Sequence, residues 1–204
     1  MEMLVVGLIL FIGVHSIRIF SPELRDSLIK KWGEKTYKGL YSLVSLLGFI
    51  LLVIGFSGER WASPMVWEPP TFTKHIPISV MLPAMIFMVA SQVPHNFIKE
   101  KMKHPMLISV KIWALAHLMA NGRVVDLILF GTFLVWSVLC FRAARKWDRI
   151  TQLEAIGLLP SAANAIDDKP SSISKNLIVL VLGIGAYAFL VFGGHFWLFG
   201  VSPI

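Results

Sequence analysis

The side chains of this chain best equipped for chemistry are its histidines, and several lie where histidine is costly. His15, His117 and His195 fall inside long apolar stretches, and His95 and His104 sit at the ends of two others. An ionisable group in an apolar span needs a partner, which makes each a candidate for function. Arg18 follows His15 by three residues on one helical face, and His117 and Asn121 are four apart, sharing a face with Trp113 and Ala114. Neutral imidazole ligates haem iron or another transition metal in such surroundings without burying a further charge. The spacing leaves plainer readings open. Arg18 can snorkel to lipid phosphate beside His15, and His117 and Asn121 can hydrogen-bond across helices.

The other candidates read more structurally. His104 precedes Pro105 and fits the cap of a helix. Lys111, about 9 Å deeper along that helix, can snorkel back to the headgroups or neutralise a carboxylate, a haem propionate included. His95, in Gln-Val-Pro-His-Asn, fits a turn, and His75 and His195 fit interfacial positions. There is no phosphate-binding glycine loop, His-Glu-x-x-His zinc site or Gly-x-Ser-x-Gly elbow. Asp126 is the one carboxylate within an apolar stretch, which argues against a carboxylate-pair hydrolase or a carboxylate-driven pump. With Cys140 as the single cysteine and no Cys-x-x-Cys-His, any haem is held noncovalently and no intrachain disulfide forms.

The elements that must position these residues are membrane spans. Apolar residues make up 56% of the 204 and charged ones 15%, with a mean hydropathy of +0.72, outside the range of a soluble domain. Apolar runs cover residues 3–20, 39–57, 76–93, 105–121, 124–140 and 177–199, each near the length of a spanning helix. The expected fold is therefore all-α: one transmembrane domain over 1–204, a bundle of six helices. Pro77 and Pro83 interrupt the third run and Lys111 the fourth, defects that neighbouring helices can satisfy. The first run opens with Met-Glu and lacks a small-residue cleavage site, so it reads as a retained span.

Lys and Arg set the expected orientation. The first, third and fifth connections carry fifteen, against three (Arg60, Lys74, Arg123) in the second and fourth, which places both termini outside the cytoplasm, in the periplasm. The net charge of +7 thus serves topology and anionic lipid, and nucleic acid is not an expected partner. The fifth connection is expected to hold an interfacial helical stretch from Phe141 to Leu159, then a flexible polar loop, SAANAIDDKPSSISK.

The run HPMLISVKIWALAHLMANG, His104 to Gly122, with FGTFLVWSVL after it, His15-Ser16-x-Arg18 before it and HFWLFGVSPI at the end, closely resembles the NnrU family across almost the whole chain. These are bacterial inner-membrane proteins associated with nitrite and nitric oxide reduction in denitrification. The family is similar to the plant zeta-carotene isomerases, membrane proteins that use b-type haem. The resemblance implies haem b with His15 and His117 as iron ligands, and Ala114 stands where the isomerases carry a cysteine. Arg18, Lys111 and Asn121 join these as candidate cofactor contacts, with His95 and His104 as alternative ligands. At 1.5 Å per residue the two histidines differ in depth by about 10 Å, whereas His15, His95 and His104 are level. The implied roles are a haem protein serving a nitrogen-oxide reductase or quinone, a haem-dependent isomerase or redox enzyme for a lipophilic polyene, or a non-enzymatic assembly factor.

Overall fold

The computed structural model describes residues 1–155 and 170–203. Among them the chain is all-helical: α1 (Glu2–Phe20), α2 (Pro22–Trp32), α3 (Glu34–Glu59), α4 (His75–Gln92), α5 (Phe97–Met102), α6 (Pro105–Ala120), α7 (Val124–Ala155), α8 (Ile173–Phe189) and α9 (His195–Phe199). Five helical stretches are long and apolar enough to cross a membrane, and α6 is a shorter apolar sixth. Large apolar side chains face outward, such as Leu43, Val181 and Trp197, the arrangement of a multi-pass membrane protein whose solvent is lipid.

Two elements depart from the sequence reading. The first connection contains a helix, α2, started by Pro22 at its first turn and ended at Gly33, whose φ is 80°. The stretch from Phe141 is not a separate interfacial helix, because α7 continues through it to Ala155. At 1.5 Å per residue α7 is about 48 Å long against an apolar layer of about 30 Å, so its basic end, with Arg142, Arg145 and Arg149, leaves that layer. The polar-loop expectation for 161–175 and the end of the Phe141–Leu159 stretch fall largely outside the described residues.

The helices pack in the spatial order α3, α1, α7, α6, α4, α8. Lipid tails are as apolar as leucine, so close backbone approach must supply attraction that the hydrophobic effect supplies in water. Glycine makes this possible between α1 and α3. A Cβ on Gly7 would lie 2.6 Å from Leu52 N, one on Gly48 2.7 Å from Phe11 N, and one on Gly55 would overlap Leu4 N. Leu4, Leu8, Leu52 and Val125 form the adjoining buried cluster, which brings in α7. Farther along, Gly183 of α8 packs against Ile86 of α4, and Tyr187 donates to Ile78 O at 2.8 Å. Helix α4 stays continuous through Pro83, and buried Ser109 of α6 donates to the neighbouring Ala84 O at 2.7 Å.

Gly48→Leu is expected to lower the thermal midpoint of the detergent-purified protein by several degrees. Gly58→Ala, with nothing within 4 Å of the added Cβ, should leave it level or slightly raised. Equal loss in both variants would show that the α1–α3 approach is not what the glycines protect.

Candidate functional site

Helix α7 carries Phe130, Phe133 and Trp136 three residues apart, so they form one stripe. Both histidine-bearing helices lean on it. On α6, His117 stacks on Phe130 at 4.8 Å between centroids, and Trp113 meets Phe130 at 5.1 Å and Phe133 at 5.4 Å. On α1, Phe11 meets Phe133 at 5.9 Å and His15 lies 6.4 Å from Trp136, edge to face. His15 also has Phe11 at 4.3 Å and Tyr41 of α3 at 5.4 Å. The next residue on α1, Ser16, accepts from Trp136 Nε1 at 3.0 Å and donates to Ile12 O.

The two imidazoles are prepared alike. His15 Nδ1 lies 2.6 Å from Phe11 O and His117 Nδ1 lies 2.8 Å from Trp113 O, each the carbonyl one turn earlier. A carbonyl accepts only from N–H, so Nδ1 holds the hydrogen and the neutral ring keeps its lone pair on Nε2. Both rings are half-buried. They are not level: Phe130 and Trp136, their respective neighbours, are six residues apart on α7, about 9 Å along the axis. The rings of Phe11, Phe133 and Trp113 fill the path between them.

The remaining candidates separate. Asn121 donates to His117 O at 2.8 Å within its own helix rather than across helices. Lys111 Nζ lies 3.5 Å from the Phe141 ring centroid, and neither Lys111 nor Arg18 is ion-paired to a carboxylate among the described residues. His104 occupies the N-cap of α6 without capping through its side chain; its Nε2 meets Asp148 Oδ2 at 3.1 Å instead. His95 lies in the turn after α4 with φ of 54°. No group of three or more His, Cys, Asp and Glu that could hold a metal forms among the described residues, so His15, His95 and His104 make no such cluster.

The end of the bundle at Asn121 holds groups that sequence reasoning left aside. The segment after α3 clamps the α6–α7 turn: Val66 N and Trp67 N donate to Gly122 O, and Val124 N to Pro64 O. Any Cβ on Gly122 would overlap the Trp67 carbonyl. Arg60 and His195 come within electrostatic reach of His117. Burial pulls the Arg60 guanidinium below its ordinary value, with Asp126 opposing. His195 arrives through a kink at Phe192–Gly193, where φ of 142° at Gly193 suits glycine alone. The position of His195 in the last apolar run gave no sign of this, because a kink, not a register, brings it back.

An apolar groove between α1 and α7, lined by Ile12, Phe20, Gly131, Val135 and Leu139, passes Ser16 and Trp136 beside His15. His15 itself is not part of the lining; its ring lies 6.4 Å from that of Trp136.

A family model described as NnrU protein matches residues 3–203. No curated protein and no solved structure matches the chain.

Phe133→Ala removes the one α7 ring in contact with both Phe11 and Trp113. A loss of about 2–4 kcal/mol is expected for such a truncation, read as a lowered unfolding midpoint in detergent. An unchanged midpoint would mean that α1 and α6 are held by other contacts.

Proposed function

Because the chain belongs to the NnrU family, we propose that it is a protein of the bacterial inner membrane that binds b-type haem through His15 and His117 and supports reduction of nitrite and nitric oxide. The observation that carries the reading is the matched pair of imidazoles, each with Nδ1 pinned to its own helix and Nε2 without a hydrogen-bond partner among the described residues. That donor set would suit haem iron, which takes imidazole nitrogen as a ligand. The hydrogen bond on the far ring nitrogen orients the ligand and raises its basicity. Bound haem supplies an iron that accepts and releases one electron.

The chain's own residues do the rest. The backbone carbonyls of Phe11 and Trp113 hold the tautomer, and the stripe on α7 keeps water from the imidazoles and sets their axial offset. Phe11, Phe133 and Trp113 stand in the path between the two imidazoles, so both would hold one haem only with these side chains displaced. The termini face the periplasm in this reading, supported by the fifteen-to-three distribution of Lys and Arg. The Asn121 end then lies at the outer surface.

A reduced-minus-oxidised spectrum of protein purified from haem-replete cells should show b-type bands. His15→Ala and His117→Ala should each abolish or shift them. Absence of bands from the wild-type protein would end the haem reading, and loss in one variant alone would reduce it to a single histidine ligand.

The apolar groove past Ser16 and Trp136 favours a second reading, a haem-dependent isomerase or redox enzyme for a lipophilic polyene entering from the bilayer. Solvent extraction of protein from a carotenoid-producing host should then recover bound polyene, and Gly131→Phe, which fills the groove, should displace it. Recovery of nothing, or equal recovery from both proteins, argues against this.

A further inference from the structure

The row of helices has α3 at one end and α8 at the other, yet Arg60, just past α3, and His195, just past α8, both come within electrostatic range of His117 on α6. The polar groups gathered there are unevenly satisfied. Arg123 spends its guanidinium on the loop, donating from Nη1 to Ser63 O at 2.7 Å and Trp61 O at 3.3 Å. His195 is engaged through Nδ1 with Val201 O at 2.6 Å. Asp126, 2% exposed, accepts from Arg123 N through Oδ2, while its Oδ1 has no donor among the described residues.

Arg60 stands apart from these. Its guanidinium lies 5.5 Å from the Phe56 ring centroid and 5.6 Å from that of Trp61, and among the described residues it donates to no acceptor. It is within electrostatic reach of Asp126 without forming an ion pair. Ring contacts tie its position to the histidine: Phe56 meets Phe130 edge to face at 6.0 Å, and Phe130 stacks on His117 at 4.8 Å. The side chain is half-buried and always charged, with five N–H donors in a planar fork that matches a carboxylate. Two guanidiniums against the Asp126 carboxylate leave one positive charge, which one carboxylate neutralises.

We propose that Arg60 anchors a carboxylate of the ligand held at His117, which, resting on the haem reading above, is a porphyrin propionate. Lys111 is the poorer anchor because its ammonium sits on the Phe141 ring, and Arg18 is exposed at the opposite end of the bundle. A bidentate fork on a carboxylate would add a directional contact to the one His117 supplies.

The test compares haemin with its dimethyl ester, identical except that both propionates are masked, titrated into detergent-purified apo-protein and followed at the Soret band. The wild-type protein should bind the free acid about tenfold or more tightly than the ester, as expected for a charge-assisted hydrogen bond. Arg60→Gln should bring the two affinities together by weakening the acid, and Arg60→Lys should retain part of the difference. No preference in the wild-type protein overturns the proposal without touching haem binding itself. So does a wild-type preference that survives in Arg60→Gln, or one lost in Arg18→Gln instead. Binding of neither compound by the wild-type protein removes the haem reading and the anchor with it.

Discussion

The stripe of Phe130, Phe133 and Trp136 on α7 is the contact on which the arrangement of the candidate site depends. Helices α1 and α6 each pack on α7, and the histidine of each is placed by a ring on that stripe. Aromatic faces and edges attract with defined geometry in an apolar medium, where burial of area alone gives neighbouring helices little reason to prefer one another over lipid. The spacing of the rings along α7 therefore becomes the spacing of the imidazoles. Six residues on one helix set an axial offset that neither α1 nor α6 could set by itself.

Around this stripe the bundle is held by close approach and by hydrogen bonds that cannot be exchanged for water. Gly7, Gly48 and Gly55 bring two backbones into contact, and Ser109, Tyr187 and Trp136 each tie one helix to another. The clamp of residues 64–67 on Gly122 shows the same logic at a turn. A peptide carbonyl between two apolar helices must find a donor, and the segment after α3 supplies two. That covering also explains how α6 can be short: its Asn121 end finishes against protein.

Much of the fold was legible because span length, apolar runs and turn residues are local. The six apolar runs agree with α1, α3, α4, α6, α7 and α8 with α9 to within a few residues at most ends. Helix α2 escaped notice because its mean hydropathy is that of a surface segment, and the extension of α7 did so because nothing at Phe141 breaks a helix. For the site, residue type in an apolar setting was enough to single out His15 and His117. It was not enough for Arg60, which lies outside a span, or to tell His195, inside the last apolar run, from an interfacial residue. Their approach to His117 depends on a kink at Gly193 and on the exit of α3, and neither is encoded in a spacing.

The amino-acid sequence by itself determined that this is an apolar, multi-helix membrane protein, which family it belongs to, and which histidines lie in apolar surroundings. The first and last follow from residue type counted along the chain, and the family from the match over residues 3–203. The tertiary structure alone decided that Asn121 serves its own helix, that His104 pairs with Asp148, and that Arg60 is linked to His117 through the rings of Phe56 and Phe130. It also decided what fills the path from His15 to His117. These are relations between helices far apart in sequence, set by which faces meet, and composition carries no information about that pairing.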